Sequence, residues 1–382
     1  MKAVKKATLW LALLVLLYVA AVRIFESHDG AFTEQGLLEA DASDLKETIV
    51  SPHLEAPIAS GKNVLWCGTF QLAWNEACAL LGENVRLANE PPMVSILNKR
   101  SFKKRDIDAK SCVAVAGFVK DDVFGQIARQ LQDTFHGQAT PRYVPSGELT
   151  PRPQDIVVYS YLFKNLEFRV PFERIPTPVV FGTKRVPCFG IGEEYKHKHY
   201  EMLEQLLILD YQSKDDFVIE LKTKSERDRV ILAKMSPKPT LKATIDAVRE
   251  RANSAPTQPR TGDVLKVPKL NFDVTRRFTE LEGKELLHKN PQVANDLVVL
   301  SALQNIRYQF DEQGARLRSE SHIAFGCGST PSPPPTRHLM VFDKPFLIML
   351  QTTGANVPYF ALWVGNPELL VPPDPGHAKT PS

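Results

Sequence analysis

The chain has 382 residues, of which 43% are hydrophobic and 24% charged, a balance typical of a globular protein with one large domain or two smaller ones. Its formal net charge of +3 is too small to indicate a nucleic-acid partner. Its 29 prolines predict many irregular connections between the elements of secondary structure.

The first predicted element is an apolar run, residues 7–22, which follows three lysines and ends at Arg23. This pattern is typical of a signal anchor or of a cleaved secretory signal. The run is shorter than the roughly 20 residues of a membrane-spanning helix, but flanking basic side chains can extend it. The small residues Val19, Ala20 and Ala21 suit cleavage. Two locations stay open: a membrane anchor with the domain outside the cytoplasm, or a secreted or periplasmic protein.

Four parts of the chain differ in composition. Dense apolar patterning begins at Asn63, after a polar stretch with Gly30, Pro52 and Pro57, and it ends before Pro372. We therefore predict four parts: a signal anchor or signal peptide (residues 1–25), a tether with room for one short helix (26–60), a folded domain (61–371) and a disordered tail (372–382).

Helices and strands alternate through the first half of the domain. Apolar spacing predicts a buried helix over Val64–Gly82 and an amphipathic helix from near Asp121 to Phe135. The nearly continuous apolar run Ile156–Phe163 predicts a fully buried strand.

Short strands dominate the second half of the domain, apart from one helix over Leu241–Arg251 that Thr240 is expected to cap. A proline-containing loop follows this helix at residues 254–261. Strands are predicted at Leu206–Tyr211, Asp216–Leu221, Val230–Ala233, Val264–Phe272, Ile306–Phe310, Phe346–Leu350 and Tyr359–Val364.

Signatures of catalysis are missing from the sequence: it has no GxSxG, HExxH or Walker motif. His197 and His199 are predicted to lie in a solvated polar stretch. Five cysteines without a CxxC pair predict buried thiols rather than a disulfide framework or a zinc site. We therefore expect no enzyme activity, no cofactor and no metal.

A basic cluster lies between the first two predicted helices: Lys99, Arg100, Lys103, Lys104 and Arg105. Such a cluster either binds an acidic polysaccharide or lipid headgroup, or is an ordinary solvated face.

The stretch from residue 306 to residue 330 contains two alternations of apolar and polar residues, separated by Gly314. In the second alternation, small or apolar residues lie on one side, beginning with Ala315, Leu317, Ser319 and Ser321. Arginine, glutamate and histidine lie mostly on the other side. This pattern predicts a half-buried strand. An ordinary hairpin strand is the alternative.

Several motifs in consistent order resemble those of the serpin family. Asp311–Ala315 resembles the family's hinge before the reactive loop, and Phe342–Leu347 resembles the segment after that loop. Further similarities lie at Tyr161–Lys164, Val267–Leu270 and Tyr359–Pro367.

This resemblance implies an α+β, serpin-like fold over about residues 61–371, with many helices, three sheets and an exposed reactive loop. It also implies that a target protease cleaves the loop, which then inserts into the main sheet. The implied scissile bond is Gly328–Ser329. The implied hinge comprises Glu312, Gly314, Ala315, Leu317, Ser319 and Ser321.

Two functions remain open at this point. A suicide-substrate inhibitor is consistent with the 17 positions from Gly314 to Thr330, which contain no proline and can extend about 55 Å. A non-inhibitory binding or structural protein is favoured by the large residues Arg316, Leu317, Arg318 and Glu320, because family hinges are usually rich in alanine.

Overall fold

The structure is a computed structural model that describes residues 32–137, 152–194, 199–253, 255–317 and 337–373. The α+β class predicted from the sequence is confirmed, because the described residues form five α-helices and five mostly antiparallel sheets. The helices are α1 (Thr69–Leu81), α2 (Pro92–Leu97), α3 (Val123–Phe135), α4 (His199–Glu204) and α5 (Leu241–Arg251).

Five strands form what we call the main sheet. In spatial order they are β1 (Leu38–Asp41), β14 (Leu270–Arg277), β16 (Leu303–Asp311), β17 (Gly314–Leu317) and β7 (Lys164–Glu167). All neighbours are antiparallel except β1 and β14, which are parallel.

The seven-stranded sheet shares one hydrophobic core with the main sheet. Its strands, in spatial order, are β10 (Leu206–Ser213), β11 (Asp216–Leu221), β12 (Asp228–Lys234), β19 (Phe346–Thr352), β20 (Phe360–Val364), β3 (Asn63–Cys67) and β2 (Thr48–Ser51). Every residue of β3 and β20 is buried. Strands buried on both faces lack alternation, which explains the continuous apolar runs in this part of the sequence.

Three smaller sheets complete the described fold. The four-stranded sheet has the order β18 (Leu339–Val341), β13 (Val264–Pro268), β9 (Lys184–Ile191) and β8 (Glu173–Phe181). Two sheets have two strands each: β5 (Cys112–Phe118) with β6 (Ile156–Leu162), and β4 (Arg86–Leu87) with β15 (Leu286–Leu287).

Two helices begin where the sequence predicts. The Thr240 hydroxyl accepts a hydrogen bond of 3.1 Å from the backbone N–H of Ala243, so α5 has the expected cap. Asp122 caps α3 by accepting a bond of 3.2 Å from the N–H of Gly125. The buried residues of α3 recur every four positions, which explains its clear sequence signal.

The helix predicted over Val64–Gly82 is wrong in its first turn, where the chain forms β3, and Gly68 separates this strand from α1. The sequence of a short strand buried on both faces shows no alternation of apolar and polar residues. It therefore could not be distinguished from the helical pattern that follows it. The strand predicted over Val264–Phe272 is split at Lys269, whose N–H bonds to the carbonyl of Pro187. Its two halves, β13 and β14, belong to different sheets.

Residues 38–51, which fall in the predicted tether, lie in two sheets of the domain. β1 is parallel to β14, and β2 is parallel to β3. Both strands lie at sheet edges, and β14, the partner of β1, is distant in sequence, so residue spacing does not reveal this pairing.

The strand predicted at Ile156–Phe163 exists as β6, but each of its residues is half-buried rather than fully buried. Among the described residues no helix is long and apolar enough to span a membrane. The predicted apolar segment, residues 7–22, lies outside the described residues.

Candidate functional site

Glu312, in the turn between β16 and β17, is only 4% exposed. Its carboxylate forms ion pairs with Arg174 and, at 2.5 Å, with Lys269. Burial alone would raise the pKa of this carboxyl group. Hydrogen bonds from Lys269, the Glu312 backbone and Arg174 outweigh burial, so the pKa lies below its usual value. The turn is therefore fixed by a buried charge with two cationic partners.

Gly314 begins β17 with a φ of +151°, which side chains other than hydrogen rarely tolerate. A Cβ atom at this position would lie 2.4 Å from the carbonyl oxygen of Leu166 on β7. The close approach of these two strands therefore requires glycine at this position.

β17 is a short central strand of the main sheet. Ala315, which is completely buried, pairs with Phe310 of β16 on one side and with Leu166 of β7 on the other. Leu317 pairs with Lys164, and its side chain lies outside the described residues. The first residues of the strand predicted after Gly314 are thus already paired on both sides.

Beyond Leu317, the two flanking strands continue without a described strand between them. β16 extends through residues 303–308, which pair with β14 on their other side. On the opposite flank, β7 is preceded by Phe163 and β6, and β6 pairs only with β5 within the described part of the chain. Within the described residues, two strand edges beyond the end of β17 therefore have no partner strand.

The observed register can be continued along both open edges. Each step forward from Leu317 moves one residue back on β16 and one residue back toward β6. A strand continued in this register would have its first position beyond Leu317 opposite Arg307 and Phe163, and its fifth position opposite Leu303 and Tyr159. Residues 318–322 would thus pair on both sides, as central strands do.

Helix α1 supports the strands on both sides of this opening. Its first residue, Thr69, accepts a hydrogen bond of 2.8 Å from the Gln304 side chain of β16, and the Phe70 ring lies 4.2 Å from the ring of Phe278, just after β14. The body of the same helix packs against β5 and β6. A strand placed between β6 and β16 would therefore lie over α1.

A buried ion pair braces the end of β7 where β17 stops. The Nζ atom of Lys164 lies 2.9 Å from an Asp228 carboxylate oxygen, and their side chains are only 6% and 4% exposed. Ser225 and Tyr359 donate hydrogen bonds of 2.7 and 3.1 Å to the same carboxylate. Lys164 and Asp228 also line a cavity of about 450 Å³ that opens beside β7.

The chain that follows residue 336 is anchored to the four-stranded sheet. The backbone N–H and the Nδ1 atom of His338 lie 2.7 and 2.9 Å from the carboxylate of Asp263. Buried Lys234 donates to the Val341 carbonyl and pairs with Asp343 and Asp215. Hydrogen bonds from Lys234 and Lys344 lower the pKa of Asp215 to about 2. The chain is therefore fixed on both sides of residues 318–336.

The remaining predicted sites are residues of the predicted loop and the basic cluster. Ser319, Ser321, Gly328 and Ser329 lie outside the described residues. In the basic cluster, Lys104 pairs with Glu76 at 2.9 Å and Arg100 bonds to Asn84, while the other three side chains are exposed. Polyanion binding by Lys99, Arg100, Lys103, Lys104 and Arg105 stays a prediction.

His199 differs from its prediction as a solvated residue. It is buried, with Nε2 3.0 Å from the Glu173 carboxylate, because α4 packs this side chain against β8. His197 lies outside the described residues. No group of three or more potential metal ligands occurs in the described ranges.

The cysteines that the structure describes are free thiols, three of them buried and Cys112 half-buried. Burial raises the pKa of the Cys112 thiol to about 12. Such a thiol is protonated at neutral pH and is a poor nucleophile.

The charged partners that organise the site were not predictable from the sequence. Arg174, Lys269 and Asp228 lie on three different strands or loops, and no local pattern connects them to Glu312 or Lys164. The usable signals were Lys164 and Lys269, which lie inside two of the family-like motifs.

Comparisons with known proteins found no matching family profile and no curated protein. Among solved structures, the chain is similar to Serpin48, a highly specific serpin of the insect Tenebrio molitor, with a TM-score of 0.37 and 15% identity over 74% of this chain and 72% of that one.

It is also similar to thyroxine-binding globulin in complex with thyroxine, with a TM-score of 0.36 and 13% identity over 65% of each chain. The human thyroxine-binding globulin complex gives a TM-score of 0.36 and 12% identity, over 65% of this chain and 64% of that one.

Proposed function

We propose that this protein is a serpin-like inhibitor of extracytoplasmic serine or cysteine proteases. In this proposal, the loop between β17 and β18 offers the bait bond, and the residues after Leu317 complete the main sheet once that bond is cut. The supporting observation is the position of β17, which is paired on both sides and ends where two strand edges have no partner among the described residues.

The target protease supplies the chemistry. Its serine hydroxyl or cysteine thiolate attacks the carbonyl carbon of Gly328, the bond to the nitrogen of Ser329 breaks, and that nitrogen leaves as a protonated amine. An ester or thioester then joins the protease to Gly328. This chain contributes the peptide bond and no catalytic side chain.

Insertion is favoured by new backbone pairing on two edges. Each net hydrogen bond is worth about 0.5–1.5 kcal/mol. Residues 318–322 can form bonds to both β16 and β6, so the gain is on the order of several kcal/mol. In the uncut protein, the anchors at Glu312 and His338 hold both ends of the loop, which restrains insertion. Cleavage removes the second restraint.

Inhibition is tested by incubating the protein with a panel of serine and cysteine proteases, followed by denaturing gel electrophoresis. We expect a covalent complex with at least one protease. Glu320→Pro should abolish the complex but allow cleavage, because proline removes a donor from the middle of the inserted strand. Ser332→Pro, beyond the cut, is the matched control and should still form complex. Cleavage without complex for every protease would contradict the proposal.

A second candidate, a non-inhibitory binding protein, is favoured by one cross-strand pair. The continued register places Arg318 directly opposite Arg307, and like charges in such a position are unfavourable. Glu34, whose carboxylate lies 3.8 Å from Arg307, offsets part of this repulsion.

Arg318→Glu is therefore expected to increase the fraction of cleaved molecules that end as complex, by about two- to fivefold, because attraction replaces repulsion and is worth about 0.2–1 kcal/mol. The measurement is the ratio of complex to cleaved protein on a gel. Arg316→Glu, at a position already paired in β17, is the control and should change this ratio less. A lower ratio for Arg318→Glu would contradict the assigned register.

The location of the protein also remains a proposal. We propose that residues 7–22 either anchor the chain in a membrane with the domain outside the cytoplasm or direct its secretion. Sequencing the amino terminus of the mature protein distinguishes these two cases.

A further inference from the structure

A short segment of the chain lies across the main sheet before it enters β1. We call this segment, residues 32–37, the strap. Asn271 of β14 and Gln309 of β16 bind it, and these two residues pair with each other in register. Their neighbours Phe272 and Phe310 belong to the main core, so the strap lies on the opposite, outer face of the sheet.

The strap is bound largely through its backbone. The N–H of Thr33 donates a hydrogen bond of 3.0 Å to Oε1 of Gln309. The side-chain amide of Asn271 donates to the carbonyl oxygens of Thr33 and Gln35, at 2.8 and 3.0 Å. The side chains of Thr33, Glu34 and Gln35 are exposed. Binding at these positions therefore requires main-chain groups, and a proline at Thr33 would remove the donor.

One side chain of the strap is buried. Phe32 is 8% exposed, and the guanidinium carbon of Arg307 lies 4.9 Å from the centre of its ring. Nη2 of Arg307 also donates to the carbonyl oxygen of Thr33 at 3.3 Å and lies 3.8 Å from the carboxylate of Glu34. These contacts fix the start of the strap over β16.

The strap accounts for a polar sheet face that is shielded from water. Asn271 and Gln309 are only 3% and 1% exposed, although they face away from the main core. If the strap left this face, water would reach both side chains and replace the lost hydrogen bonds. Local separation of β14 from β16 would then become less costly.

The contacts of the strap extend to the less supported part of β16. β17 pairs with β16 at residues 309–311. Arg307 pairs with Asp273 of β14 and has no described strand on its other side. A strand segment with one partner opens more readily than one with two. The strap therefore lies where β16 depends most on β14.

We propose that residues 32–37 are a releasable strap that controls how readily β16 separates from β14. The docked strap ties the two strands together through Asn271, Gln309 and Arg307. Its release opens their outer face to water and loosens β16 first. This device acts on the sheet of the intact chain and does not depend on protease inhibition, so its failure would leave the proposed function standing.

Hydrogen exchange of the full chain, followed by mass spectrometry, tests the strap. Thr33→Pro removes the N–H that donates to Gln309, and it should raise the exchange rate of peptides covering β16 by about three- to tenfold. Thr33→Ala keeps this N–H and is the matched control, with an expected change of less than about twofold. Peptides covering β20, in the seven-stranded sheet, should exchange at unchanged rates in both variants.

A second background separates the hydrogen bond from a general effect of proline. In Gln309→Leu, Thr33→Pro should add no further increase, because the acceptor is already absent. A further increase in this background would contradict the proposal. Equal exchange of β16 in the proline and alanine variants would overturn it, as would an increase of the same size in β20, which would mean that the whole domain has loosened.

Discussion

Replacing Asp228 with alanine is expected to lower the free energy of unfolding by about 3–5 kcal/mol. The substitution removes the only carboxylate paired with Lys164 in the described structure and leaves an ammonium group that is 6% exposed. The ring of Tyr359, 5.5 Å from Nζ, cannot replace the lost charge. Chemical denaturation monitored by tryptophan fluorescence measures the change.

Asp246→Ala is the matched control for Asp228→Ala. Asp246 pairs with Lys242 one helical turn away, and both side chains are more than 40% exposed, so its removal should change stability little. The double variant Lys164→Met, Asp228→Leu should recover most of the loss, because no buried charge is left without a partner. If Asp228→Ala lowers the free energy of unfolding as little as Asp246→Ala does, the ion pair between Lys164 and Asp228 does not stabilise β7.

Gly314→Ala is expected to lower the free energy of unfolding by about 3–5 kcal/mol and to reduce complex formation with a target protease. The added Cβ atom would lie 2.4 Å from the Leu166 carbonyl oxygen and 2.8 Å from the Cα atom of Glu167. Both contacts are with backbone, which cannot rotate away, so β17 must separate from β7.

Gly354→Ala is the control that separates the steric clash expected at Gly314 from the loss of the conformational freedom of glycine. Gly354 has a φ of +80°, and nothing lies within 4 Å of the position its Cβ would occupy. Its replacement should cost only about 1–2 kcal/mol and leave complex formation unchanged. Similar losses for the two variants would show that β17 tolerates a wider spacing from β7.

Elements with a strong local signal were predictable from the sequence. The α5 helix has a threonine cap and a regular apolar face, and the strands β10, β11 and β12 are bounded by polar turns. The bend near Gly314 followed by a strand was also visible, because apolar and polar residues alternate on both sides of the glycine.

Features set by distant contacts were not predictable. β3 is buried on both faces, so its sequence has no alternation, and β1 pairs with β14, which is distant in sequence. The partners of Glu312 come from β8 and from the junction between β13 and β14. Such contacts depend on the order of strands within sheets, which residue spacing along the chain does not specify.

The most direct test of the account compares the melting temperature of the intact protein with that of protein cut between residues 326 and 330. We predict that the cut form melts at least about 10 °C higher, because several new backbone bonds on two edges outweigh the loss of one peptide bond. A cut form that melts at the same temperature or lower would contradict it, since the segment after Leu317 would then complete no sheet.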